Sequence, residues 1–181
     1  MNMFIICMIS IIIISIIGIW FSTMYNNFQN YIIRMNEAEA NIDSTLRKRF
    51  DLLNKSIPII KTVSKIEDDI IIDVENLRSQ KISNFDFDRK LYNLINEFNK
   101  YKEQFPKLKQ NDSFVKIDIE LSESEAEIVA FRKYYNDIVT DYNKLIHKFP
   151  SNMVAILFHY SHKNYFDGKD MTDDDTEDFK V

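Results

Sequence analysis

The stretch Phe114–Phe149, FVKIDIELSESEAEIVAFRKYYNDIVTDYNKLIHKF, decides the fold class. Within it Phe114, Ile117, Leu121, Ser124, Ile128, Phe131, Tyr135, Ile138, Tyr142, Leu145 and Phe149 recur in alternating steps of three and four. That spacing returns to one face of an α-helix every two turns. Only Ser124 on this face is small and polar. Five heptads of one apolar face predict a helix packed along its whole length, in coiled-coil fashion. Asp112 or Ser113 offers its N-cap, and Pro150 sets its end.

Working outward, the same pattern recurs. Phe87, Leu91, Leu94, Phe98, Tyr101 and Phe105 form a shorter stripe, with Asp86 or Asp88 to cap it and Pro106 to close it. Earlier still, Ile42, Leu46, Phe50, Leu53, Ile57 and Ile60 share a face, and Val63, Ile66, Ile70, Val74 and Leu77 resume it after a change of phase. Pro58 falls inside this run. A proline there removes one hydrogen bond, so a bend near residues 54–58 is expected rather than a break. Turns lean on glycine and proline, and the chain has only two and three of these. The expected fold is all-α: an N-terminal transmembrane helix followed by an antiparallel bundle of long helices, the first continuous with the anchor.

The anchor is Phe4–Phe21, FIICMISIIIISIIGIWF, eighteen residues without a charge. As a helix it spans ~27 Å, close to the ~30 Å hydrocarbon thickness of a bilayer. Ser10 and Ser15 can bond back to helix carbonyls, and Trp20 and Tyr25 suit the interface. A cleaved signal would want a basic residue before the run and a small-residue site after it; neither is present. A core helix apolar on all sides would need a larger protein around it. The chain therefore divides into a short tail (1–3), a transmembrane helix (4–21), a helical bundle (22–166) and an acidic tail expected to be disordered (167–181). The first basic residues, Arg34 and then Arg47, Lys48 and Arg49, all follow the span, which places the body on the cytoplasmic side of a single-pass membrane protein.

Charge is distributed unevenly. Residues 1–33 carry none, and the tail from Asp167 holds seven acids against two lysines. The remaining 34–166 balance at 21 acids and 21 bases, so no basic face is available for nucleic acid. A lone cysteine, Cys7, excludes an intrachain disulfide. His159 and His162 stand three apart, yet no further ligand shares their spacing, and they read as surface residues beside His147. Asp173–Asp175 lacks the alternating ligands and terminal glutamate of a calcium loop. With glycines only at 18 and 168, no phosphate-binding loop is available. No cofactor, metal or catalytic set is expected, and the chain reads as non-enzymatic.

Polar residues set among the stripes read chiefly as structural. Arg49 or Arg132 is expected to pair with Asp51 or Glu125 across helices, and Asn136 or Asn143 to bond a neighbour; such buried polar contacts fix register. The charged positions Glu123, Glu125, Glu127, Arg132 and Lys133 are expected on a solvated face. The alternative is a polar patch that docks a partner.

Several of these residues fall into blocks that resemble the LemA family. I-D-x-x-L-R-K-R-F-D-L-L from Ile42 to Leu53 contains Ile42, Asp43, Leu46, Arg49 and Asp51. Phe105-Pro106-Lys107-Leu108, then Asn111 and Phe114, is a second block. The strongest runs from Leu121 through Glu125, Arg132, Tyr135-Asn136, Tyr142-Asn143 and Phe149-Pro150 to Tyr165-Phe166. The resemblance covers residues 36–166. One departure is Asn54, where the family usually has proline; Pro58 lies one turn later. The resemblance implies an N-terminal transmembrane helix and a long antiparallel helical domain. The expected role is a scaffold or docking module at a membrane surface, with a self-associating, membrane-shaping protein as the alternative. The expected partners are the bilayer, through residues 4–21, and either another protein or further copies of the chain.

Overall fold

In the computed structural model, which describes residues 2–63, 74, 77 and 82–166, all regular structure is helical. The described elements are α1 (Asn2–Lys61), α2 (Asn84–Gln104), a 3-10 turn (Pro106–Gln110), α3 (Asp112–His147) and the short α4 (Ser151–Leu157). The acidic tail lies outside the described residues, as do Ile66 and Ile70.

α1 carries the apolar run and the first signature block in one unbroken helix. Its large side chains from Met3 to Ile19 are exposed, from 47% at Ile5 to 80% at Met3. The hydroxyls of Ser10, Ser15 and Thr23 donate to the carbonyls of Ile6, Ile11 and Ile19 at 2.8–2.9 Å. Polar groups on this stretch are thus satisfied inside the helix, as hydrocarbon requires. This helix is long and apolar enough to cross a bilayer.

Pro58 does not break α1, because the missing N–H falls within a turn of the helix end and removes a single bond. The helix does stop soon after. Thr62 and Val63 turn back on the carbonyls of Ile59 and Ile60, so Val63 no longer continues the helical stripe. The caps also differ from expectation. Ser83, not Asp86 or Asp88, caps α2: its Oγ accepts from the Asp86 N–H at 3.1 Å and donates to the Asp86 carboxylate at 2.7 Å. Asn111, ahead of Asp112 and Ser113, caps α3 by accepting the Phe114 N–H at 3.0 Å. α3 ends at His147, before Pro150. Phe149 therefore leaves the stripe and is 75% exposed.

The chain forms two compact units. The first takes residues up to Glu37 together with Tyr135–Tyr165; the second takes Ala38–Tyr134 with Phe166. In the second unit α1 and α3 run antiparallel, since Lys48 meets Glu127 and Arg49 meets Glu125. α2 and α3 are antiparallel too: Asp88 meets Arg132 at one end and Lys102 meets Asp118 at the other. Its core is drawn from all three expected stripes. Ile42, Leu46, Leu91 and Ile128 are wholly buried, and Phe98 stacks on Phe114 at 4.9 Å. Each such side chain contributes about 1.5–3 kcal/mol on leaving water. Val74 lies with Leu53, Leu94 and Phe98 around a void of only about 20 Å³.

In the first unit Phe28 is fully buried, edge-on to Tyr142 at 5.8 Å and beside Tyr160 at 4.7 Å. Ile138, Val139, Val154 and Ala155 complete this core. α4 closes with the chain turned back on it. The Tyr160 N–H reaches the Ala155 carbonyl at 2.9 Å and the His159 N–H reaches Ile156 at 3.3 Å, while His159 takes φ 55°. This is a Schellman cap with histidine in the left-handed position that glycine usually fills. It swings Tyr160 onto Phe28.

Candidate functional site

Four charged residues of the second unit form a part-buried ion-pair cluster spanning three helices. Arg49 lies on the heptad face Ile42, Leu46, Arg49, Leu53; its side chain is 3% exposed and its guanidinium donates to Glu125 of α3. Two turns along α3, Arg132 donates to Asp88 of α2, a carboxylate 10% exposed. The two pairs feel each other: Arg49 and Glu125 both act on the Asp88 charge. Burial pushes the Asp88 carboxyl above its ordinary range, and the nearby Arg132 charge only partly opposes it. The ring of Phe166 lies 5.7 Å from the Arg132 guanidinium. Nε of both Arg49 and Arg132 is buried without a hydrogen-bond partner.

Of the pairings expected for Arg49 and Arg132, Arg49–Glu125 is formed, whereas Arg132 pairs with Asp88. Glu125 and Arg132 are therefore not the simply solvated positions that had been expected. Lys48–Glu127 at 3.6 Å is a more exposed pair beside them. In the sequence Asp88 reads as a cap for α2. Its register gave the signal: Asp88, Leu91, Ile95 and Phe98 step by three, four and three along the buried face. A charge at such a position needs a partner from another helix.

Asp51 does not join the cluster. It is exposed, and with Asp43, Arg47 and Asn84 it rims a cleft of about 300 Å³ floored by Phe50, Leu77, Ile82 and Phe87. Asp43 accepts from Arg47 Nε at 2.8 Å, one turn along α1. Ile42 and Leu46 are core, and Pro106 opens the 3-10 turn after α2.

The remaining signature residues belong to the first unit. Asn143, 6% exposed, donates from Nδ2 to the Lys163 carbonyl at 2.8 Å and accepts the Lys163 N–H at Oδ1 at 3.0 Å. One amide thereby satisfies both backbone groups of Lys163, as a strand neighbour would. Thr140 Oγ1 lies 3.3 Å from the Tyr165 hydroxyl, and Gln29 Nε2 donates to the Tyr160 hydroxyl at 2.7 Å. Tyr142 is buried, which with the nearby Tyr160 raises its phenol above the ordinary value. Tyr135 and Asn136 are half-buried on α3, and Pro150 precedes α4 after a cis peptide from Phe149. His159 and His162 do not share a helical face: His159 lies in the cap, and the His162 ring is 6.1 Å from that of His147. Among the described residues no cluster of three His, Cys, Asp or Glu is placed to hold a metal.

Guanidinium groups tied to carboxylates of neighbouring helices hold those helices in register. The fold and its polar contacts define an all-α protein with, among the described residues, one helix able to cross a membrane and a bundle keyed by internal ion pairs. The chain belongs to the LemA family, whose family model matches residues 38–181. It is similar to a protein of Metamycoplasma hominis named Protein LemA, with 27% identity over 151 residues that take in 77% of this chain and 68% of that protein.

Proposed function

We propose that this chain is a non-enzymatic, single-pass membrane protein whose helical body is a protein-docking module on the cytoplasmic face. The observation that carries this reading is α1 itself. One helix bears both the exposed apolar run and, beyond it, Asp43, Arg47 and Asp51 around an open cleft with an aromatic floor. Apolar anchors ringed by charge are the usual make-up of a binding patch. Arg34 and Arg47–Arg49 on the body side of the span support the cytoplasmic orientation. Most of the described stripe residues are buried within the chain, which favours docking over self-association through those faces.

The test is photo-crosslinking in the native membrane, with a photoreactive residue in place of Asp51 in the full-length protein. A recurrent heterologous product, lost on Phe87→Asp, is expected. Products containing only this chain would favour the architectural alternative, and an absence of products would refute the docking role.

A further inference from the structure

The first unit exposes an unusual run of large apolar side chains around α4. Phe149 is 75% exposed, Met153 58%, Ile156 74%, Leu157 60% and Phe158 41%. α4 turns Val154 and Ala155 inward, while Met153, Ile156 and Leu157, spaced three and four apart, share the outer face. Soluble surfaces scatter such residues singly; a contiguous patch marks a surface that is covered in use.

Two further observations say what covers it. The patch is continuous with the apolar run of α1 near its body end. The Phe158 ring packs 5.8 Å from Phe21 and 4.8 Å from Tyr25, and these rings line an open apolar hollow of about 460 Å³ with Ile14, Ile17 and Gly18. The segment that carries it is also basic. Residues 142–166 contain no Asp or Glu but hold all three histidines, Lys148, Lys163 and Lys144, the last paired with Asp141 just outside the segment, in a chain whose net charge is −5. The segment is firmly held: Asn143 clamps Lys163, and Ser151 Oγ lies 2.7 Å from the carbonyl oxygens of both Leu145 and Lys148.

We infer that α4 and its flanks form a membrane foot. They lie in the interfacial layer of the leaflet from which α1 emerges, with Phe149, Met153, Ile156 and Leu157 among the upper acyl chains and Lys148 and Lys163 toward anionic headgroups. This rests on the reading that α1 crosses the bilayer. It adds a second membrane contact, made by residues more than a hundred positions away in sequence.

Trp20 is the chain's one tryptophan, so the two readings separate cleanly. Full-length protein is reconstituted into vesicles of phosphatidylcholine and phosphatidylglycerol that carry a nitroxide quencher at a shallow or a deep acyl position. In the parent, Trp20 reports the span. In Trp20→Phe/Ile156→Trp the reporter lies on the foot, at a site exposed enough to accept it, and Trp20→Phe/Leu157→Trp repeats the measurement one residue on. The foot predicts blue-shifted emission from both reporters, quenched more by the shallow label than by the deep one. Red, unquenched emission from both reporters while Trp20 is quenched would overturn the foot and leave the span standing. Blue-shifted but unquenched emission would mean that protein covers the patch, and would overturn it equally. An unquenched Trp20 would remove the span, and the foot with it.

Discussion

Replacing Glu125 with glutamine strips the buried Arg49 guanidinium of its counter-charge while barely altering shape. The two partners are unequal: the Arg49 side chain is 3% exposed and that of Glu125 44%. Removing the exposed partner strands a charge in the core, which typically costs about 3–5 kcal/mol. The neighbouring Asp88 carboxylate attracts Arg49 and offsets part of this, so about 3 kcal/mol is expected. Arg49→Met does the reverse. It removes a cation whose Nε is already unpartnered, fills similar volume and leaves Glu125 half in water; about 1 kcal/mol or less is expected. For a chain of this size 1 kcal/mol shifts Tm by roughly 2–4 °C. Thermal melts followed by far-UV circular dichroism, on full-length protein in one detergent, should put Glu125→Gln roughly 6–12 °C below the parent and Arg49→Met near it. The double variant Arg49→Met/Glu125→Gln should melt close to Arg49→Met, because glutamine no longer faces a stranded charge. Arg49→Met melting as low as Glu125→Gln, or lower, would show that Arg49 is not a charge held in place by Glu125.

Three further outcomes follow from the same contacts. Asp88 titrates above the ordinary carboxylate value of 3.8 because it is buried. The folded chain therefore holds this proton more tightly than the unfolded one, and the group's contribution is full below the ordinary value and lost as pH rises through the raised one. The Tm of the parent relative to Asp88→Asn should thus rise as pH falls from neutral toward the carboxylate range, and a difference independent of pH would contradict it. Asn143→Asp loses the donor to the Lys163 carbonyl and sets a carboxylate against it; a loss of about 2 kcal/mol is expected, read as lower Tm and faster amide exchange at Lys163. His159→Gly relieves a left-handed φ of 55° and should raise Tm by the equivalent of about 1 kcal/mol, whereas His159→Val should lower it.

The helices were legible because each buries one continuous stripe, and a period between three and four has few other readings. Arg49 was legible as a buried partner for the same reason, since it interrupts an apolar face between Leu46 and Leu53. What the sequence concealed were features set by where helices begin and end. Asp88 reads as a cap in the sequence, but α2 is capped five residues earlier by Ser83, which puts Asp88 in register with Leu91 and Ile95. Phe149 continues the period of α3, but the helix stops two residues before it, so the period no longer governs where the ring lies. The turn after α4 left no glycine to flag it, because His159 fills that place. The exposed patch on α4 was hidden in plain composition: its apolar residues look like core until their exposure is known.

The claim on which the rest depends is that α1 crosses a bilayer, and alkaline carbonate extraction of native membranes tests it most directly. The full-length chain should stay with the lipid pellet, and Ile9→Arg/Ile13→Arg, each costing about 3 kcal/mol at mid-span, should release it. Parent protein recovered in the carbonate supernatant would contradict it.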